Sequence, residues 1–424
     1  MIVSVIGLGY IGLPTAAVLA SKGIKVIGVD INSDIVNTIN DGNVHIVEPD
    51  LHALVKDSIS NGNLTATTKY EKADVFIISV PTPLIEEHKP DINFVKSAAE
   101  GIASVLEKGN LIILESTCPV GTSEHIVELM SSLRSDLSFP QNNKENKEID
   151  VNFAYCPERV LPGKIIRELV NNDRIVGGIT PDCAMNAKKL YEVFVKGSCF
   201  ITDSRTAELC KLTENSFRDM NIAFANELSI ICDKSNIDTW ELIELANKHP
   251  RVSILEPGPG VGGHCIAIDP WFIINSFPNE SHLIQTSRKV NTQKTEYMIE
   301  KIKQTVSSTQ KTVKDLSIAC LGLSFKPNID DLRESPAMEI ADQVIQMGFN
   351  KVYLVEPNIN EAPDLLKSND VLLTDLDVAI NSAEIIVILV KHKTFYNLKL
   401  SLLSDKIVID AVGLMKLIKG KKGV

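Results

Sequence analysis

Positive charge is in short supply in this chain. Lys and Arg number 43 against 54 Asp and Glu, giving a formal net charge of -11 and a pI near 5.3. Phosphate backbones and acidic membrane surfaces are held mainly by basic side chains, so this balance excludes general binding to nucleic acid and leaves any phosphate to be held locally. Paired cysteines are also missing. The eight, at 118, 156, 183, 199, 210, 232, 265 and 320, form no CxxC pair and have no histidine at ligand spacing. That pattern excludes a zinc site and a disulfide framework, so no metal is expected and a cytoplasmic, reducing compartment is. The first 21 residues, MIVSVIGLGYIGLPTAAVLAS, carry no charge at all. A secretory leader would open on basic residues, and a membrane helix would avoid this density of glycine and proline. A strand, turn and helix account for the stretch better, without membrane insertion.

What is present points to a nucleotide. The β-branched run IVSVI (2 to 6) reads as a buried parallel strand and leads into Gly7, Gly9 and Gly12, a GxGxxG that opens a helix to about Lys22. A second strand, KVIGV, ends at Asp30. The glycines permit a tight turn and close approach of backbone to a pyrophosphate on the helix N-terminus, while the acid holds a ribose 2′-hydroxyl and repels a 2′-phosphate. NAD is therefore expected rather than NADP. Further strands VFIISV (75 to 80) and LIILES (111 to 116) end in the turns SVPTP and STCPVGT, which makes Pro81, Thr82 and Thr117 either cofactor neighbours or simple turn residues.

At 424 residues two or three domains are expected. The polar stretch FPQNNKENKEID (139 to 150) reads as an exposed loop, followed by strands at VNFAYC, RIVGGI and SCFIT. From Ser204 to about Ser235 neither Gly nor Pro interrupts the chain, which predicts one helix of more than thirty residues, suited to joining domains and to pairing with its twin in a homodimer. Beyond it the N-terminal pattern returns in weak form: LSIACLGLSFKPN (316 to 328), KVYLVEPN (351 to 358), AEIIVILVKH (383 to 392) and KIVIDAVG (406 to 413). The fold class is thus α/β, with two Rossmann-like doubly wound parallel-sheet domains joined by a long central helix and a helical middle domain. The second sheet lacks GxGxxG, which disfavours a second NAD and suits a different nucleotide.

Two features carry chemistry. Lys211 and Asn215 lie at i and i+4 on the long helix, with Glu208 three residues before the lysine. They are either a solvated face or an ammonium and an amide aimed at one oxyanion. Cys265 follows four glycines within Gly258 to Gly263. It is either a small buried hydrophobe or, beside an NAD site, a nucleophile that captures an aldehyde and allows two successive oxidations to a carboxylate.

In chain order, GLGYIGLP, STCPVGT, YCPERVLPG, the ELxKxxxN helix, GPGVGGHC and GLSFKPNIDDLRES span essentially the whole sequence. Together they resemble the nucleotide-sugar 6-dehydrogenases, the family oxidising UDP-glucose, GDP-mannose and UDP-N-acetylhexosamines to uronic acids. PERVLPG and GGHCIAIDPWF are similar to the acetamido-sugar branch, where glucose-type members typically show PEFL and GGSC. The resemblance implies that Cys265 is the nucleophile and that Lys211 and Asn215 steady the alkoxide and tetrahedral oxyanion. Asp269 would position Lys211 and a water, and Glu158 would act as base in thioester hydrolysis with Thr117 holding water. Gly7, Gly9, Tyr10, Ile11, Gly12, Asp30, Pro81, Thr82, Thr117 and Arg333 fall at cofactor positions. Glu158, Arg159, Val160, Lys211, Asn215, Gly262, His264 and Lys326 fall at substrate positions, and Arg251 matches an arginine that reaches the sugar from a neighbouring subunit. Arg159 and His264 are the candidates for reading the acetamido group or the C2 configuration, while Trp271 reads better as core or dimer packing. The implied domains are 1–203 for NAD, 204–300 for the helical middle with the catalytic Lys, Asn and Cys and the dimer interface, and 301–424 for the UDP-sugar. UDP-N-acetyl-D-mannosamine is the expected substrate and its C2 epimer, UDP-N-acetyl-D-glucosamine, the alternative. A catalytically silent sensor would need no nucleophile, and a simple hydroxy-acid dehydrogenase would have no use for Cys265.

Overall fold

Apolar runs without alternation become strands buried on both faces. A computed structural model describes residues 1–140 and 149–420. The polar segment read as an exposed loop falls largely on 141–148, outside the described residues. Two compact units form, Met1–Glu214 with Trp271–Phe277, and Asn215–Pro270 with Pro278–Val424.

In the first unit the strands are β1 (Ile2–Ile6), β2 (Lys25–Val29), β3 (Leu64–Thr67), β4 (Val75–Ile78), β5 (Leu84–Ile85), β6 (Lys89–Pro90), β7 (Leu111–Leu114), β8 (Asn152–Tyr155), β9 (Arg174–Gly178) and β10 (Cys199–Asp203). Eight of them make one sheet in the order β10-β9-β8-β7-β4-β1-β2-β3, and β5 and β6 pair as a hairpin. Because successive side chains point to opposite faces, Val75 and Ile77 enter one core while Phe76 and Ile78 enter the other. The expected all-parallel sheet needs one correction: β8 and β9 are antiparallel, whereas β9 and β10 are parallel. The link between β8 and β9 returns at the same end of the sheet. It is pinned there by Glu48, whose carboxylate accepts the N–H groups of Gly163 and Ile165 at 2.8 and 2.7 Å.

The second unit holds β11 (Ser317–Leu321), β12 (Lys351–Val355), β13 (Val371–Leu373), β14 (Ile385–Ile388) and β15 (Ile407–Asp410), all parallel, in the order β13-β12-β11-β14-β15. That order repeats β3-β2-β1-β4-β7 of the first sheet, as the weak sequence repeat predicts. The strand β13 was not legible, being only three residues long.

The uninterrupted helix runs Ser204–Ser235 and a second long helix runs His282–Ser308. Within the second unit they share a buried polar seam. Arg288 pairs with Asp219 at 2.6 Å, Asn291 donates to Asp219 at 2.8 Å, and Asn226 donates to Asn291 at 2.9 Å. Among the described residues no helix is long and apolar enough to cross a membrane.

Candidate active site

At the carboxyl end of β1 the backbone turns through Gly7 at φ 90°. A Cβ on Gly12 would stand 1.8 Å from Gly7 O, and one on Gly7 would stand 2.5 Å from Ser79 O. Asp30, directly after β2, accepts the N–H of Leu8 at 2.9 Å with one oxygen and the N–H of Asn32 at 2.9 Å with the other. The carboxylate is thereby fixed beside the glycine turn, only partly buried. A side-chain-free turn, the N-terminus of the helix Gly12–Ser21 and a fixed acid together form a cradle that fits a dinucleotide. His45 lies near the same carboxylate, and burial holds its imidazole below the ordinary range. A lone histidine in a loop gave no sequence signal of that placement.

The turns after β4 and β7 meet each other. Thr82 Oγ1 donates to Thr117 O at 2.7 Å, so two of the expected cofactor neighbours are joined, while Pro81 is exposed beside them. The Thr117 turn leads into the helix Thr122–Leu133, whose N-terminus is capped from afar. Glu208 Oε2 accepts Gly121 N at 2.6 Å, and its Oε1 accepts Ser123 N at 2.8 Å and Ser123 Oγ at 2.7 Å. Burial pushes the Glu208 carboxyl up.

Glu158 follows β8 and is 8% exposed. Arg174 Nη2 donates to its Oε2 and Arg159 N to its Oε1, both at 2.7 Å. Lys211 Nζ donates to Glu158 O at 2.8 Å, so the helix lysine is half-buried against this loop rather than on a solvated face. The guanidinium of Arg159 is engaged elsewhere, by Glu214 at 2.7 and 3.0 Å and by Asp173 O at 3.1 Å. Val160 lies partly buried next to it. Trp271 stacks on His88 of the hairpin, ring centroids 4.1 Å apart.

In the second unit Cys265 is exposed, on a turn where its carbonyl accepts the N–H groups of Ile268 and Asp269 at 3.0 and 2.8 Å. The glycines before it let the loop press against the 325–336 segment. A Cβ on Gly262 would stand 2.3 Å from Glu334 O, and one on Gly263, at φ 82°, 2.6 Å from the Phe325 ring. Asn226 Oδ1 accepts Gly258 N at 2.9 Å and Thr295 Oγ1 donates to Pro259 O at 3.0 Å, so the two long helices fix the start of the loop. Asn215 Nδ2 donates to Asp269 Oδ2 at 2.5 Å. Arg333 Nη2 lies 3.1 Å from His264 Nδ1 and 2.7 Å from Asp331 Oδ2. Arg251 is exposed, its N–H on His249 Nδ1 of its own turn.

A cleft of about 180 Å³ opens where β11 and β14 part, lined by Ser324, Phe325 and Pro327 after the first strand, Leu389 to Lys391 after the second, and the Glu256–Gly260 backbone. Ligands on doubly wound sheets bind at such a switch point. Lys326 sits on the same turn, its carbonyl accepting Ser324 Oγ at 2.8 Å. Below the turn, Glu356 Oε2 accepts Leu323 N at 2.8 Å and Ser324 N at 3.0 Å, and lies 3.1 Å from His392 Nε2. The His392 contact and the two N–H groups outweigh burial and hold this carboxyl down at about 2.

The glycine turn, the helix N-terminus and the fixed acid of the first unit are the features of an NAD-dependent dehydrogenase. Three models of the UDP-glucose/GDP-mannose dehydrogenase family match the chain: the NAD binding domain over residues 1–195, the central domain over 205–293 and the UDP binding domain over 319–417. The chain belongs to that family, and NAD is its cofactor. It is 53% identical to the UDP-N-acetyl-D-mannosamine dehydrogenase of Escherichia coli K12, covering 98% of this chain and 99% of the other. It is also 53% identical to an NDP-N-acetyl-D-galactosaminuronic acid dehydrogenase of Ralstonia nicotianae, covering 97% and 96%. The solved UDP-D-ManNAc dehydrogenase of Pyrococcus horikoshii superposes with a TM-score of 0.87 at 36% identity, covering 98% and 96%.

Proposed function

We propose that the chain oxidises C6 of UDP-N-acetyl-D-mannosamine to the uronate, a four-electron reaction that uses two NAD and one water and serves surface-polysaccharide synthesis in the cytoplasm. The observation that carries the reading is Cys265, exposed at the tip of a glycine-walled loop and followed by the Asn215–Asp269 pair. Gly7, Gly9, Tyr10, Ile11, Gly12 and Asp30 hold the dinucleotide, with Pro81, Thr82, Thr117 and Arg333 completing its site. When bound there, NAD would supply the two-electron acceptor for each of the two oxidations at C6. The cleft after β11 and β14 takes the UDP part, with Lys326 at its rim and Gly262 admitting the sugar.

On this reading the Cys265 thiolate adds to the C6 aldehyde, and the oxygen that becomes negative is met by the Lys211 ammonium and the Asn215 amide. Those two side chains stand one turn apart on the helix Ser204–Ser235. Asp269 holds Asn215 amide-first toward the reacting atom. The thioester is then opened by water: the water oxygen bonds to C6, the C6–S bond breaks, the thiolate returns to Cys265, and Glu158 accepts the proton while Thr117 steadies the water. His264, held by Arg333, reads the C2 substituent, and Arg159 and Val160 are further candidates for contact with the sugar. Division into parts at 1–203, 204–300 and 301–424 follows from these roles. Homodimerisation is supported by Phe217, Phe224 and Ile231, exposed at 60, 51 and 51% in one stripe of the long helix, and would bring Arg251 to the partner's sugar.

The test is NADH formed per sugar with limiting UDP-N-acetylmannosamine and excess NAD, its gluco and galacto counterparts run alongside. Two NADH for the manno sugar alone supports the proposal, and one NADH removes the thioester route. The Ralstonia relative favours a second reading, oxidation of a galacto-configured sugar, which two NADH with that sugar alone would establish.

A further inference from the structure

The first unit buries more ionisable groups behind Glu158 than a structural ion pair requires. Arg174, at the start of β9, is 3% exposed and faces two carboxylates through its two terminal nitrogens. Its Nη2 donates to Glu158 Oε2 at 2.7 Å, and its Nη1 lies 3.9 Å from Glu115 Oε1 and 3.8 Å from Cys156 Sγ. Glu115, directly after β7, is 3% exposed and accepts the Tyr191 hydroxyl at 2.7 Å. The guanidinium lies over the Tyr191 ring, 4.5 Å from its centroid, and near that of Phe194 at 5.5 Å. Arg174 Nε and Glu115 Oε2 are buried with no hydrogen-bond partner among the described residues. Leaving such atoms unmet is costly, and one cation cannot fully neutralise two buried anions.

We propose that Glu115, acting through Arg174, is a positioning residue for Glu158 that sets how readily Glu158 takes a proton from the hydrolytic water. The inference rests on the reading of Glu158 as the base of thioester hydrolysis. With Glu115 neutral, the whole charge of Arg174 acts on Glu158 and weakens it as a base. With Glu115 ionised, the guanidinium is shared and Glu158 becomes the stronger base. The geometry is matched by the electrostatics: burial pushes Glu115 up to about 7, against the opposing pull of Arg174 and of the Tyr191 hydrogen bond. The other groups facing it are Cys156, whose thiol burial pushes up to about 12 and so keeps neutral, and Tyr191, raised further by burial. Cys199 of β10 feels the Arg174 charge at longer range, and Lys211 reaches the same loop through Glu158 O. Hydrolysis then gains rate as pH rises through the Glu115 titration.

The test uses full-length enzyme turning over sugar and NAD from pH 5.5 to 9. Glu115→Gln, which keeps an acceptor for Tyr191 but cannot ionise, is expected to leave KM for the sugar in place. Its kcat at pH 8 should fall roughly tenfold, part of the 10²–10⁴ a general base supplies, and its rising limb near pH 7 should vanish. Intact-mass analysis after acid quench should show the acyl adduct accumulating on the enzyme. A wild-type pH profile without adduct overturns the inference. Should that variant fail to fold, Tyr191→Phe removes a hydrogen bond that favours the ionised acid and should move the limb to higher pH, an unmoved limb being the contrary result. Glu158→Gln separates the two claims. If it accumulates adduct while Glu115→Gln does not, only the present inference fails. If neither does, the hydrolysis reading itself fails.

Discussion

Asn215 donates through Nδ2 to Asp269 Oδ2, a contact between residues 54 apart in sequence that fixes which end of the amide is presented. Asp269 is 4% exposed, so the orientation is not lost to water. Asp269→Asn would replace a carboxylate that only accepts by an amide that also donates, so the two ends of the Asn215 amide would no longer be told apart. The expected result is a loss of kcat on the order of 10²–10³, the worth of one oxyanion donor, with little change in sugar KM. Steady-state NADH kinetics decide it, and a kcat within threefold of wild type would sink the proposed role.

Gly12 leaves no room for a side chain, since its Cβ would stand 1.8 Å from Gly7 O. Gly12→Ala should therefore open the turn, abolish saturable NAD binding in calorimetric titration and lower Tm. Retained NAD affinity would show that the turn is not where the dinucleotide rests.

Asp30 braces the N–H groups of Leu8 and Asn32, and on the proposed reading it also excludes a 2′-phosphate. Asp30→Asn should weaken NAD and at the same time raise the NADP to NAD ratio of kcat/KM. If NAD weakens and the ratio stays put, the acid is a brace only.

Glu115 and Glu356 give the fold opposite pH dependences. Glu115 has a folded value near 7 against an ordinary 4.5, so the folded state keeps this proton longer and its stability falls as pH rises between those values. Glu356 sits near 2, so its contribution is complete above about 4.5 and is lost as pH falls toward 2. Measured against wild type at the same pH, Glu115→Gln should gain Tm at pH 8 compared with pH 5, and Glu356→Gln should lower Tm at pH 7 and reduce the further loss in acid. Thermal unfolding across that range measures both, and parallel profiles for wild type and variants would contradict the assignment.

Phe224 is 51% exposed in the middle of the long helix. Phe224→Glu should halve the mass in sedimentation if that stripe is the dimer interface, and an unchanged mass would place the interface elsewhere.

Sequence reading reached the elements whose signals are local. The strand, glycine turn, helix, strand and acid ending at Asp30 lie within thirty residues, and the 32-residue helix needed only an absence of Gly and Pro. It did not reach single charged residues whose partners are distant. Glu48 meets Gly163 and Ile165, Glu208 meets Gly121 and Ser123, and Arg174 stands between Glu115 and Glu158, none of which follows from spacing. The reversal at β9 was missed for the same reason, because strand direction depends on what anchors the preceding loop. Arg159 was singled out as a reader of substrate, yet Glu214 and Asp173 already use its guanidinium.

The two sheets treat one position differently. In each, the glycine after the first strand donates to the last residue of the second, Gly7 to Val29 and Gly322 to Val355, both at 2.8 Å, and the next residue's N–H meets the acid that follows. The other oxygen of Asp30 accepts the local N–H of Asn32 and the side chain stays partly exposed, whereas Glu356 is closed off by the imidazole of His392, which is 1% exposed. The later sheet thus carries an internal plug where its counterpart keeps a socket. The acid of the later sheet is already spent inside the protein, which on the proposed reading leaves that half to a nucleotide other than NAD.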